Sequence, residues 1–242
     1  MSLSSKVLYD QFVHELEAKW ELDESKKVAE IVFDHLFGFS RIDIFLNKSI
    51  PQSDERLAPI LQRLLNGEPV QYVLNHAAFF GLSFFVNSEV LIPRQETEEL
   101  VALILKENGH TSQNILDIGT GSGVIALALC IHRPNWNISA WDLSLEALDV
   151  ARHNAHQLNL TVDFRCLDIL TKDPDTDQYH LIISNPPYIP SAEKLLMAGH
   201  VVKYEPELAL FVADDHPLIF YDAIAKYALK SLKEKGKLYF ET

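Results

Sequence analysis

Cysteine is scarce in this 242-residue sequence: Cys130 and Cys166 are the only two, and both sit inside apolar runs. Two cysteines without the paired spacing of a zinc site exclude a disulfide-stapled scaffold, so no metal is expected and both thiols read as buried small hydrophobes. Long apolar runs are missing as well. Nothing reaches about 18 residues, and MSLSSKVLYD lacks the apolar core of an export signal, so no membrane partner is expected and the cytoplasm is the expected compartment. Basic residues are in deficit, 21 Lys and Arg against 34 Asp and Glu, for a net charge of −13. That balance disfavours a broad phosphate-binding surface and makes nucleic acid an unexpected partner. Internal repeats and low-complexity tracts are absent. What is present, 48% apolar and 23% charged residues, is a globular composition able to fill one large or two smaller cores, and a monomer is expected.

From Lys6 to Gly67 the apolar residues recur at helical spacing: Leu8, Phe12, Leu16 and Trp20, then Val28, Ile31, Val32 and Leu36, then Leu57, Ile60, Leu61, Leu64 and Leu65. Gly38 and Gly67 supply stops, Asp23 and Ser53 are candidate N-caps, and Pro59 should kink or delay the last helix. The stretch PVQYVLNHAAFFGLSFFV, rich in β-branched and aromatic residues, reads as a β-hairpin. After Pro93 strands and helices alternate: NILDIG, NISAWDL, TVDFRCLD, YHLIISN and KLYFET are separated by helical stretches of 10 to 20 residues. This rhythm predicts βαβ units and a doubly wound parallel sheet, an α/β fold. The expected domains are a helical one over 1–70, a hairpin linker over 71–92 and the α/β domain over 93–242.

LDIGTGSGVIALAL places Gly119, Gly121 and Gly123, with Thr120 and Ser122 between them, at the junction of the first strand and a helix. Missing side chains there permit a tight turn and close approach of a nucleotide-like ligand to backbone N–H groups. The dinucleotide fingerprint requires glycine at 124, where Val124 stands. Asp142 ends the second strand, where an acid can accept from both hydroxyls of a ribose; by itself it separates neither NAD from S-adenosylmethionine nor a ligand from a helix cap. Asp168 closes the third strand, where its carboxylate can accept from an adenine amino group while the Ile169 N–H donates to the ring.

SNPPYIP follows the fourth strand, so Asn185, Pro186, Pro187 and Tyr188 face the ligand crevice at the carboxyl edge of the sheet. An amide or exocyclic amine is a poor nucleophile because its lone pair is delocalised. Two acceptors, the Asn185 side-chain oxygen and the Pro186 carbonyl, can hold its two N–H bonds and stabilise positive charge growing on nitrogen during methyl transfer. The prolines fix the direction of that carbonyl, and Tyr188 offers a flat face to a planar group.

With GEPVQYVL, FFGLSFFV, VLIPRQETEELV, YEPELALF and FYDAIA added to these motifs, the sequence resembles the glutamine N5-methyltransferases of peptide-chain release factors, the HemK or PrmC family, over nearly its whole length. The resemblance implies a Rossmann-like S-adenosylmethionine-dependent domain behind a helical substrate-recognition domain. It also implies that Gly119 to Gly123, Asp142, Asp168, Ile169 and Asn185 line the cofactor site, and that Asn185 to Tyr188 hold the glutamine of a Gly-Gly-Gln motif. Gln95 stands where the family commonly has proline and Pro217 where it has glycine; Arg94 and Glu96 are expected to form an ion pair beside the pocket. The C-terminal strands of the usual seven-stranded sheet are expected to be missing after YFET. Three other readings stand beside this one: a glutamine of a ribosomal protein as acceptor, an adenine-N6 DNA methyltransferase, and a noncatalytic cofactor- or partner-binding module.

Overall fold

A computed structural model describes residues 2–51, 55–172 and 178–241. The chain divides into two compact units, Met1–Asn75 and His76–Thr242. The first contains β1 (Ser2–Ser4), α1 (Ser5–Leu16), α2 (Leu22–Phe37), α3 (Arg41–Phe45), β2 (Ser49–Pro51), α4 (Leu57–Leu65) and α5 (Val70–Leu74), with β1 and β2 paired antiparallel. Phe12, Leu16, Val32, Phe33 and Leu64 are buried in its core, and Phe33 meets Tyr9, Phe12 and Phe37 edge-on. Helix α2 is turned slightly from the expected face, burying Ala29 and Phe33 while Ile31 is exposed. Gly38 closes α2 with a left-handed φ of 64°. Asp23 lies in the first turn of α2 rather than capping it, and Ser53 is outside the described residues. Pro59 is the third residue of α4, where its missing N–H would have had no intrahelical partner, so it interrupts nothing.

Residues 70–74, expected in the hairpin, form α5 instead, closed by Asn75 at φ 50°. The hairpin is confined to β3 (Ala77–Phe79) and β4 (Leu82–Phe84) in the second unit. Its two-residue loop, Phe80-Gly81, has positive φ at both positions, the geometry that matches the twist of paired strands. Phe80 is held there by its N–H, which donates to Glu98 Oε1 at 2.9 Å.

The second unit continues through α6 (Gln95–Glu107), β5 (Asn114–Ile118), α7 (Val124–His132), β6 (Asn137–Asp142), α8 (Leu145–Gln157), β7 (Asp163–Cys166), β8 (Tyr179–Ser184) and β9 (Ile189–Pro190). A 3₁₀ turn, α9 (Gly199–Tyr204), α10 (Glu207–Leu210), β10 (Phe211–Val212), α11 (Ile219–Ser231) and β11 (Leu232–Phe240) follow. Five strands form one parallel sheet in the order β11-β8-β5-β6-β7, an α/β Rossmann-like arrangement. Strand residues alternate between two cores as a period of two requires. Ile115, Leu181 and Ile183 pack with α6 and α7 on one face; Leu116, Ile118 and Ile182 pack with Trp141 and α11 on the other. Strand β7 is outermost, so the expectation for Cys166 fails: it is exposed, its Sγ donating to the Leu143 carbonyl at 3.4 Å, while Cys130 is half-buried. No helix among the described residues is long and apolar enough to cross a membrane.

Candidate active site

The carboxyl ends of β5, β6 and β8 open on one edge of the sheet, the position at which parallel α/β sheets bind ligands. Gly119, Gly121 and Gly123 have φ of 73°, 54° and 81°, values that β-carbon sterics make costly for other residues. The loop is tied to the neighbouring strand, since the N–H groups of Gly119 and Thr120 both donate to the Trp141 carbonyl, at 2.8 and 2.9 Å. Below it Asp117 is buried, with Oδ2 accepting the Thr120 hydroxyl at 2.7 Å; burial pushes its carboxyl up to about 7. Asn154 of α8 braces the loop from behind, its amide nitrogen donating to the Ser122 carbonyl at 2.9 Å and the Phe85 carbonyl at 3.0 Å, its oxygen accepting the Phe85 N–H at 2.7 Å.

A cavity of about 270 Å³ lies over this loop. Gly119, Thr120, Gly121 and Ser122 line it, as do Asp142, Asp168, Ile169, Asn185, Pro186 and Pro187. Gly123 does not: it is the N-cap of α7, and a Cβ there would meet Ala151 Cβ and Leu127 Cδ1 at 3.2 Å. By contrast a Cβ at Gly119 or Gly121 would meet nothing within 4 Å, leaving room for a ligand against the backbone. Asp142 accepts the Gly121 N–H on Oδ2 at 2.8 Å and the Ser144 N–H on Oδ1 at 3.0 Å. Burial raises its pKa, partly opposed by the N–H groups of Ser144, Gly121 and Leu143. Each carboxylate oxygen accepts more than one hydrogen bond, so a diol can still be held. Asp168 spends one acceptor on the Leu170 N–H at 2.9 Å.

A smaller cavity of about 180 Å³ adjoins the first, lined by Leu91, Tyr188, Ile189, Met197, Leu210 and Glu241 together with Arg94, Asn185, Pro186 and Ala209. Asn185 and Pro186 therefore stand in both cavities, Tyr188 only in the smaller, Pro187 only in the larger. The segment beyond Tyr188 is pinned by the parallel pair β9 and β10 and by the Ser191 hydroxyl on the Val212 carbonyl at 2.9 Å. Ser184 secures the near side through its hydroxyl on the Ile118 carbonyl at 2.6 Å. Arg94 pairs not with Glu96 but with Glu205, at 2.8 and 2.9 Å, and the buried Glu205 carboxylate also takes the Ile92 N–H. YEPELALF and LIPRQETEELV are thus joined across 111 residues. Gln95 is the first residue of α6, a position where proline and other residues are interchangeable because the N–H has no helical partner.

Residues 95–203 match the family described as methyltransferase small domain, and residues 8–74 the one described as PrmC N-terminal domain. A release factor glutamine methyltransferase of Bacteroides thetaiotaomicron is 44% identical over 223 residues, covering 90% of this chain and 80% of that protein. Its counterpart in Streptococcus pneumoniae is 42% identical over 238 residues, covering 97% of this chain and 83% of that protein. The chain belongs to the release factor glutamine methyltransferase family. A methyltransferase of known crystal structure from Pyrococcus furiosus aligns over 77% of each chain at 21% identity, with a TM-score of 0.47. Of the residues that the sequence marks for the site, the larger cavity gathers Gly119 to Ser122, Asp142, Asp168, Ile169 and Asn185 to Pro187, and the smaller one Asn185, Pro186 and Tyr188. The sequence did not mark Asp117 and Asn154, which hold the glycine loop from beneath and behind, or Thr97 and Glu241, which line the larger and the smaller cavity.

Proposed function

We propose that this protein transfers a methyl group from S-adenosylmethionine to the side-chain amide nitrogen of the glutamine in the Gly-Gly-Gln motif of a peptide-chain release factor. The observation that carries this reading is the shared wall: Asn185 and Pro186 line both the cavity over the glycine loop and the smaller one beside Tyr188. A donor in one and an acceptor in the other would meet at those two residues. Gly119 to Ser122, Asp142, Asp168 and Ile169 would hold the cofactor, which supplies an electrophilic methyl group and leaves as S-adenosylhomocysteine. In the smaller cavity the Asn185 Oδ1 and the Pro186 carbonyl each accept one N–H of the glutamine amide. This turns its lone pair toward the donor and stabilises charge growing on nitrogen. Tyr188 covers the planar amide, and Leu91, Met197 and Leu210 exclude water around its methylenes. No strong base is required, because the nitrogen sheds a proton readily once cationic. Acting on a translation factor, the protein is proposed to work in the cytoplasm as a monomer.

Mass spectrometry of a purified release factor incubated with isotopically labelled S-adenosylmethionine tests acceptor and chemistry together. A label on the Gly-Gly-Gln glutamine is expected. Asn185→Ala should lower the single-turnover rate by on the order of 10²–10³, as for loss of one preorganised transition-state hydrogen bond, with little change in S-adenosylhomocysteine affinity. An undiminished rate would remove the role given to Asn185.

A further inference from the structure

Glu241 follows the last residue of β11 and is fixed at both backbone groups: its N–H donates to the Ser184 carbonyl at 3.2 Å, and its carbonyl accepts the Tyr221 hydroxyl at 3.0 Å. Its side chain lines the smaller cavity with Asn185, Pro186 and Tyr188. Thr97 and Asn185 are the polar neighbours that favour its charged form, yet among the described residues no formed hydrogen bond joins either to the carboxyl, and its Oε2 is buried without a partner. Thr97 is itself buried, in the first turn of α6, and its Oγ1 lies 3.4 Å from Asn185 Nδ2.

We infer that Glu241, resting on the function proposed above, is a positioning residue: with Thr97 it sets which end of the Asn185 amide faces the substrate. The hydroxyl of Thr97 carries one hydrogen, and an ionised carboxylate only accepts. With Glu241 ionised, that hydrogen is directed to the carboxylate, and the Thr97 oxygen is left to accept from Asn185 Nδ2. Across the cavity that Glu241 and Asn185 both line, the carboxylate attracts the same nitrogen. Both contacts turn Oδ1 away from Thr97 and Glu241, free to take an N–H of the incoming glutamine. A protonated Glu241 can donate, the hydroxyl can reverse, and the Asn185 amide loses its preference. A flipped amide offers the substrate a donor where an acceptor is needed.

The charged groups around Glu241 are Arg94 and Glu96 of the α6 entry, and the titratable ones are the neutral hydroxyls of Tyr221 on α11 and of Tyr188 in the same cavity. Burial is the largest influence and raises the pKa of Glu241, with Glu96 adding to it; Thr97, Asn185 and Arg94 oppose the rise. The ordering role is therefore complete at high pH and fades as pH falls, beginning above the range of an ordinary glutamate.

Two measurements decide the matter. In single turnover with purified release factor, the wild-type rate should fall toward low pH, and one of the ionisations in that fall should belong to Glu241. Glu241→Gln should lose about 10²-fold at high pH, the cost of a misplaced catalytic group, and lose that ionisation, with S-adenosylhomocysteine affinity within about twofold. Thr97→Val should behave similarly, and Thr97→Ser should recover most of the rate lost by the valine. Independently of any substrate, the side-chain amide resonance of Asn185, identified by its absence in Asn185→Asp, should titrate in the wild type and be flat in Glu241→Gln. An Asn185 resonance insensitive to pH would overturn the inference, as would a Glu241→Gln enzyme with the wild-type rate and pH profile. A titrating resonance in a protein that methylates no release factor would instead leave the inference standing and remove the proposed function.

Discussion

Asp117 shows how a residue with no ligand of its own shapes the site. Buried in the core face of β5, it holds the Thr120 hydroxyl and thereby the first turn of the glycine loop. Its carboxyl, pushed up to about 7 by burial, keeps its proton in the folded protein at pH values where an unfolded aspartate has lost it. The folded state then binds more protons than the unfolded one, so stability falls as pH rises from about 4 toward about 7 and levels off above. One such group contributes at most about 1.4 kcal/mol per pH unit. Urea unfolding between about pH 5 and about pH 8 should show Asp117→Asn with a flatter dependence than wild type and with more of its stability retained at the alkaline end. Parallel curves for the two proteins would place the ionisation elsewhere.

Among elements, the junction of β5, α7 and α8 separates glycines that serve binding from one that serves packing. Gly121 points its missing side chain into the larger cavity, whereas Gly123 faces Ala151 of α8 and Leu127 of α7 at 3.2 Å. Gly121→Ala should cost about 1–2 kcal/mol in thermal or urea unfolding, the price of a left-handed residue, but weaken S-adenosylhomocysteine at least about tenfold by calorimetry. Gly123→Ala adds a clash to the same strain and should cost about 2–4 kcal/mol of stability. Sequence spacing revealed all three glycines, because glycines alternating with small hydroxyl residues at a strand end have few other uses. It could not rank them, since the packing partner of Gly123 comes from a helix 28 residues further on. The same limit explains Glu241 and Thr97, ordinary residues just past β11 and in α6 that acquire meaning only where α6, β8 and the end of β11 converge. It explains residues 70–74 as well: VQYVL, five residues of which four are apolar or aromatic, fits strand or helix equally by pattern, and the left-handed Asn75 closes it as a helix.

For the whole molecule, the two compact units each hold their own hydrophobic core, and all the cavity-lining residues named above belong to the second. On the proposed function, a short Gly-Gly-Gln peptide would offer a glutamine to that unit alone, while an intact release factor would have further surface to offer the helical unit. Removing residues 1–75 should therefore cost more catalytic efficiency with the intact factor than with the peptide, by about tenfold, or ~1.4 kcal/mol. Steady-state comparison of both substrates with a truncation shown by circular dichroism to fold gives the answer. Equal losses would mean that the helical unit takes no part in recognition.

The pair of oxygens at Asn185 and Pro186 also has an arithmetic consequence. In the proposed complex a primary amide would bring two hydrogens to them, one for each; the methylated product would bring one. The product nitrogen can no longer satisfy both oxygens, and its new methyl group occupies the direction from which another would have to come. With the roles proposed for Asn185 and Pro186, the wall between the cavities would count hydrogens, and the tally would stop the reaction at a single transfer.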